Sequence, residues 1–348
     1  MKFTIFLTDD CNLNCKYCYE GEKEKNYMSV ETADKAIQFI DSTTKKALPY
    51  LNHNCITVIL YGGEPLLNHK VLRYIVSELK EKTEYNVRFD MTTNGTFLNT
   101  DIIDTLKKID CVSVSIDGSK EIHDFNRTFK NKKGSFDIVT NNIKKMINEG
   151  ISIRARGTYN SKTCKNLYKS VSDLSVYGFD CIVMHPDKYD KGWTEKDFDK
   201  IFSEIKKINM DLNLKKKCDT ISLIDISNFS CESGHCFGGI SDFSIDTNGD
   251  IYPCSKAVKS NDFLIGNVYD GKLNEELIQK LFKLNTDNAS CKGCSRINFC
   301  LGNKCKILNK IYEGDFFTPN GINCKFESLE VKKYKYIKEL ERYNDLSK

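Results

Sequence analysis

Residues 11–18 read Cys11-Asn-Leu-Asn-Cys15-Lys-Tyr-Cys18 and follow directly on an apolar, strand-like run at residues 3–7. Three thiolates this close together suit a soft metal centre. Three is one short of the four cysteines that normally close an iron–sulfur cluster. One iron of such a cluster would stay open to another ligand. A zinc knuckle or a redox dithiol are the plainer readings. Zinc asks for a fourth Cys or His nearby, and none lies between Cys18 and His53. A metal loop just past a strand also places the site at the carboxyl end of that strand, where parallel barrels keep their active sites.

Outward from this loop, apolar strand-like runs alternate with amphipathic stretches. Candidate strands are residues 3–7, 56–61, 87–91, 111–116, 151–158 and 181–185, each rich in Val, Ile or aromatic residues. Between them Val30, Ala33, Ile37 and Ile40 recur at helical spacing behind a candidate N-cap, Ser29. Val71, Ile75 and Leu79 repeat the pattern, as do Leu167, Val171 and Leu174. These stripes are core positions and carry no chemistry. Six strand–helix repeats imply an α/β fold with a parallel sheet and right-handed crossovers. A closed eight-fold barrel would need two more units.

The pattern changes near residue 215. From there to Cys324 the chain is irregular and holds nine of the 16 cysteines. We expect a core domain over residues 1–215, a cysteine-rich domain over 216–328 and a helix over 329–348 on the barrel exterior. The second domain has little apolar sequence for a core of its own, so metal should supply much of its stability. Residues 243–252 read as a hairpin. Asp246, Asn248 and Asp250 lie in its turn, but no acidic residue ends the loop as a calcium site requires.

Composition narrows the function classes. Net charge is +4, from 52 basic and 48 acidic residues, too mild to argue for nucleic acid or an anionic membrane. No apolar run approaches the roughly 18 residues of a membrane span. Thr8-Asp-Asp10 interrupts the first apolar segment, unlike a signal peptide. Clustered cysteines without an export signal fit a reducing cytoplasm better than a disulfide scaffold. Cys55, Cys111, Cys164 and Cys181 fall in apolar strands or helices and read as buried core thiols.

The cysteine run, with Tyr17 just before its third cysteine, resembles the cluster motif of the radical S-adenosylmethionine (radical SAM) enzymes. The resemblance implies a partial, open (β/α)6 TIM-like barrel. It implies a [4Fe–4S] cluster on Cys11, Cys15 and Cys18, whose open iron takes the amino and carboxyl groups of SAM. Electron transfer into SAM then releases a 5′-deoxyadenosyl radical that abstracts hydrogen. Tyr61-Gly-Gly-Glu-Pro65 resembles the GGE motif, which assigns the SAM amino group to Gly62, Gly63 and Glu64; alone, it would read as a turn. Thr92-Thr-Asn-Gly95 resembles the segment that shapes the SAM pocket, through Asn94. Ser115-Ile-Asp-Gly118 with His123-Asp-Phe-Asn-Arg127 also fits the family. It makes Ser115 a candidate for the SAM carboxylate, with His123, Asp124 and Arg127 bonded to one another. Arg156 is a second carboxylate candidate, since a guanidinium grips carboxylates bidentately. Arg154 shares its strand parity, and His185 is left without a role.

The later cysteines resemble the SPASM domain, which carries auxiliary clusters. The resemblance implies two further [4Fe–4S] clusters, three in all. One is interleaved on Cys231, Cys236, Cys254 and Cys305, the other on Cys291, Cys294, Cys300 and Cys324. The Cys300–Cys305 gap holds four residues where three is usual, which bears on Cys305 as a ligand. Zinc on the Cys-x2-Cys pair is the alternative. Enzymes of this type modify peptides and proteins and draw electrons from a flavodoxin or ferredoxin. The expected function is a peptide maturase forming Cys thioethers. The alternative is an anaerobic sulfatase maturase forming formylglycine, which usually carries an Asp after the third auxiliary cysteine, where this chain has Ser255. As the sequence starts at the barrel, leader recognition is expected to come from elsewhere.

Overall fold

The computed structural model describes residues 1–18, 20–21, 23–51, 54–227, 229 and 234–346. Six strands follow one another as the sequence periodicity predicts: β1 (Lys2–Phe6), β2 (Cys55–Tyr61), β3 (Asn86–Thr93), β4 (Cys111–Ser115), β5 (Ile153–Tyr159) and β6 (Cys181–Pro186). Each pairs in parallel with the next. Strand β7 (Thr220–Ile221) adds one short parallel pairing beyond β6. Helices α1 (Val30–Ala47), α2 (His69–Lys82), α3 (Thr100–Leu106), α4 (Lys120–Asn126), α5 (Phe136–Asn148), α6 (Leu167–Leu174), α7 (Glu195–Met210) and α8 (Leu212–Lys217) occupy the crossovers. Ser29 caps α1, its hydroxyl accepting from the Thr32 amide at 3.0 Å. Ile56, Val58 and Leu60 are buried on one face of β2, and the positions between them face the barrel lumen.

The second half shares the barrel's core and sheet, and keeps besides a small cluster of its own on Tyr252, Ala257, Phe263 and Ile307. Strands β8 (Asp242–Ile245), β9 (Asp250–Tyr252), β10 (Gly266–Asn267) and β11 (Lys272–Leu273) extend the same sheet. The order is β11-β10-β9-β8-β1-β2-β3-β4-β5-β6-β7, so the barrel stays open. The expected hairpin forms as β8 and β9. Its first strand pairs in parallel with β1, Lys2 opposite Asp242 and Ile5 opposite Ile245. Phe243 stacks on Phe3 with centroids 5.5 Å apart, and Phe39 meets Phe243 edge-on at 5.5 Å. Phe243, Ile245, Ile251, Ile265, Val268 and Ile278 thereby join the core of the first half. Protein packing therefore stabilises this region alongside any metal it binds.

Four helices complete the chain: α9 (Glu275–Lys283), α10 (Leu301–Lys304), α11 (Lys306–Glu313) and α12 (Gly321–Leu346). Helix α12 begins before residue 329, so Cys324 sits on it rather than in a loop ahead of it. The Asn320 side chain accepts from the Ile322 amide at 2.8 Å and starts the helix there. Phe326 packs edge-on to Trp193 at 5.4 Å and to Phe198 at 5.1 Å, which holds α12 on α7 outside the barrel. Of the four cysteines expected in the core, only Cys164 is fully buried; Cys111 and Cys181 are half-buried and Cys55 is exposed. Cys55 opens β2, at the frayed end of its alternation. Among the described residues no helix is long and apolar enough to cross a membrane.

Candidate active site

The carboxyl ends of β1 to β6 surround a cavity of about 410 Å³. Cys11, Cys15 and Cys18 border it on one side. Gly62, Gly63 and Glu64 after β2, Asn94 after β3, Ser115 at the end of β4 and Arg156 on β5 also reach it. Tyr17 lines it too, so all seven residues expected to bind SAM share one cavity with the three cysteines. His185 lines it as well, whereas Arg154 does not and donates instead to the Ser113 hydroxyl.

The loop that presents the cysteines is held from several sides. Gly63 N–H donates to the Thr8 carbonyl at 2.8 Å and Glu64 N–H to the Asp10 carbonyl at 2.9 Å. A Cβ on Gly62 would stand 2.4 Å from the Thr8 carbonyl oxygen, and one on Gly63 would stand 2.3 Å from that of Asp10. The glycine pair is thus required by the close approach of the chain's own backbone. Asn94 adds a third hold, its amide donating to Asn12 Oδ1 at 2.8 Å and to Cys11 Sγ at 3.7 Å.

Glu64 is buried, and both carboxylate oxygens are engaged. Thr93 Oγ1 donates to Oε1 at 2.7 Å, the Leu66 amide to Oε1 at 3.1 Å and the Asn94 amide to Oε2 at 2.6 Å. Burial nevertheless pushes its carboxyl up to about 7, against those bonds. Glu64 therefore ties the ends of β2 and β3 together beneath the cavity.

Asp117 forms a second node. It accepts from Tyr17 Oη at 2.6 Å, Arg127 Nε at 3.1 Å, Asn126 Nδ2 at 3.3 Å and the Thr158 amide at 2.9 Å. The Arg127 guanidinium lies over the Tyr17 ring, 5.1 Å from its centroid. The expected mutual bonding of His123, Asp124 and Arg127 forms in part: the Arg127 amide donates to the His123 carbonyl at 2.7 Å, and Ser135 Oγ, which donates to the Arg127 carbonyl at 2.9 Å, links the two again. His123 pairs with Ser135 Oγ at 2.8 Å, and Asp124 accepts from the Phe136 amide at 2.9 Å. Arg127 turns inward because Asp117 offers the buried counter-charge.

Several cavity residues carry no motif. Lys23 donates to Cys18 Sγ at 2.9 Å and pairs with Glu20 at 3.1 Å. Asp187, Lys188 and Tyr189 enter from the loop after β6, and Lys256, Leu308 and Tyr312 from the second half. Only the fold brings these last three to the cavity; their sequence context marks them as ordinary loop and helix residues.

The donor set fits a multi-iron cluster. Three thiols on one loop border the same cavity, one short of the four that close a cluster. Burial pushes Cys11 up to about 12 and raises Cys15, so metal must displace their protons to bind.

The later cysteines fall into two neighbourhoods. Burial pushes Cys254 up to about 11, with Cys305 and Cys236 adding to the effect, and Cys305 in turn responds to Cys236. Cys324 is raised by burial, then by Cys291 and Cys294, and Cys300 responds to Cys324. The four residues between Cys300 and Cys305 form α10, one helical turn, which carries Cys305 toward Cys254. Cys231 lies outside the described residues.

Residues 5–160 match the radical SAM superfamily, and residues 236–295 match the SPASM iron–sulfur cluster-binding domain. The chain thus carries a radical SAM domain followed by a SPASM domain, which imply SAM and [4Fe–4S] clusters as cofactors. It is 26% identical to a cysteine-type anaerobic sulfatase-maturating enzyme of Clostridium novyi, over 91% of this chain and 89% of that protein. It is 23% identical to the antilisterial bacteriocin subtilosin biosynthesis protein AlbA of Bacillus subtilis, over 87% of this chain and 64% of that one. Among solved structures, anSMEcpe with bound AdoMet superposes with a TM-score of 0.79 at 19% identity, covering 97% of this chain and 98% of that one. Streptococcus suis SuiB bound to S-adenosylmethionine gives 0.66 at 15% identity, covering 92% and 76%. These two superpositions speak for the fold.

Proposed function

We propose that this radical SAM enzyme oxidatively modifies a ribosomally made peptide, joining a cysteine sulfur to carbon as a thioether. The observation that carries the reading is the double-sided cavity. One wall is the Cys11–Cys18 loop, and the other holds Lys256, Leu308 and Tyr312 beside Cys254 and Cys305. A substrate there lies between the radical source and an auxiliary cluster. Cys11, Cys15 and Cys18 hold the first cluster. Gly62, Gly63, Glu64, Asn94, Ser115, Arg156 and Tyr17 form the SAM pocket. Cys236, Cys254 and Cys305, with Cys231, hold one auxiliary cluster; Cys291, Cys294, Cys300 and Cys324 hold the other.

When bound, SAM and its cluster would supply a hydrogen-abstracting radical, the electron for it coming to the cluster from a flavodoxin or ferredoxin. The cavity residues orient the peptide, and the buried walls keep water from the reacting carbon. Forming a thioether removes one S–H and one C–H hydrogen. One hydrogen atom would be taken up by the adenosyl group and the thiol proton by solvent or a cavity base, and Cys236, Cys254 and Cys305, with Cys231, would hold the auxiliary cluster able to accept the remaining electron.

A second reading is formylglycine formation on a sulfatase, favoured by the near full-length match to the Clostridium novyi enzyme. Against it, the residue after Cys254 is Ser255, where such maturases usually carry an Asp. The test incubates anaerobically reconstituted enzyme, SAM and reductant with cysteine-containing peptides encoded beside its gene and with a sulfatase peptide. A peptide that loses one pair of hydrogens per bond, with its thiol blocked to alkylation, is expected. An aldehyde on the sulfatase peptide, with the neighbouring peptides unchanged, would establish the second reading instead.

A further inference from the structure

The cavity has a second mouth. A groove of about 410 Å³ adjoins it, and Tyr17, Cys18, Asp187 and Tyr189 line both. The groove runs between the cysteine loop, α4 and the loops that follow β5 and β6. Its floor is aromatic, with Phe125, Tyr17 and Tyr189, and its rim carries Lys16, Lys162 and Lys191. Among the described residues none of these three lysines is in an ion pair, though Lys16 rests on the Phe125 ring, 3.3 Å from its centroid.

The groove's two carboxylates are already engaged. Asp190 accepts from the Ser161 amide at 2.8 Å and from the Gly192 amide at 2.8 Å. Asp187 accepts from the Tyr189 amide at 3.0 Å, and its carbonyl takes the Trp193 indole N–H at 2.8 Å. These bonds hold both acids to the loop backbone, and Lys162 acts on Asp190 through its charge and not as an ion pair. What remains for a ligand is an aromatic trough under three cations, continuous with the chamber where the radical forms. A small substrate would need only the chamber; an extended peptide can lie across both.

We propose that this groove binds the acidic flank of the substrate peptide, so that the modified residue sits in the cavity and a run of Asp or Glu lies along Lys16, Lys162 and Lys191. The inference rests on the peptide-modifying reading above and adds the charge pattern of the peptide. Complementary charge at such a rim sets partner choice and approach more than total affinity.

Fluorescein-labelled peptides with one central cysteine, followed by glutamates, glutamines or lysines, are titrated against reconstituted enzyme with SAM in low salt, followed by anisotropy. The glutamate peptide should bind about tenfold more tightly than the glutamine peptide, from several exposed pairs acting together. The preference should shrink as salt rises. In Lys162→Glu with Lys191→Glu the order should invert, so that the lysine peptide binds best. Iron content and thermal midpoint check that the double variant is loaded and folded; if it is not, Lys191→Gln should narrow the preference. Equal binding of the three peptides, or an unchanged preference in the variants, overturns the inference and leaves the peptide-modifying reading standing. Binding of no peptide overturns both. An unchanged peptide preference with slower reduction by an acidic flavodoxin would mark the lysines as a donor surface and overturn the inference.

Discussion

Asp117 shows how much of the site depends on a single buried group. It is 1% exposed and accepts four hydrogen bonds, one of them from Arg127, which is also buried. An amide at this position cannot accept from all four donors and leaves the guanidinium without its counter-charge. Asp117→Asn should therefore cost about 3–5 kcal/mol in urea denaturation, the price of a buried charge left unpaired. A loss under about 1 kcal/mol would show that Arg127 finds another partner. Glu64 adds a pH signature. Its carboxyl rises from the ordinary 4.5 to about 7 through burial, so between those values the folded protein holds a proton the unfolded chain has lost. Stability from this group is complete below 4.5 and is lost as pH climbs through 7. Glu64→Gln should flatten that part of the midpoint-against-pH curve; an unchanged slope would point to other groups. Both residues stood out in motifs before any fold was known. Arg127 and Thr93 stood in motifs too, but which residues would pair was not legible, because Thr93 and Thr158 lie on neighbouring strands and Arg127 at the far end of α4.

At the scale of elements, the cysteine loop is held by the turn after β2. The paired glycines were legible as a special turn, but the reason read from sequence was access to a ligand. In the fold, the first demand on them is the backbone of residues 8–10. Gly63→Ala places a methyl 2.3 Å from the Asp10 carbonyl oxygen, a contact that only backbone movement relieves. The loop carrying Cys11 must shift with it. The variant should reconstitute with about one third less iron, if the first of three four-iron clusters is lost and the others are kept. Iron and sulfide analysis, with spectra of the remaining clusters, reads this directly. Full iron and undiminished SAM binding would show that the loop tolerates the shift. Strand and helix order was legible because each period is local: alternation in β2, three-four spacing in α1. The start of α12 was not, since an Asn320 side chain rather than any apolar period begins it.

For the whole molecule, the least legible feature is the seam between β1 and β8. Alternation marks residues 243–245 as a strand, yet no local pattern says that its partner lies some 240 residues earlier, as Lys2 opposite Asp242 does. The sequence reading therefore made the second half a metal-dependent domain, whereas Phe3, Phe39 and Phe243 weld it to the barrel. Welding has a thermodynamic consequence. Two halves that share a core and a sheet should unfold as one unit, even though a chain this long can populate intermediates. The single tryptophan, Trp193, reports on the outer side of the barrel, where it packs against Phe326 of α12. Its fluorescence and the far-ultraviolet dichroism of the sheet should therefore change together in denaturant, in anaerobic protein with its clusters intact. Phe243→Ala removes the ring at the seam and should cost about 3–5 kcal/mol, lowering both probes' midpoints by the same amount. If the two halves were cored separately, the tryptophan transition, which reads α12 against α7, would part from the dichroism transition in the native protein. Phe243→Ala would then move only one of them.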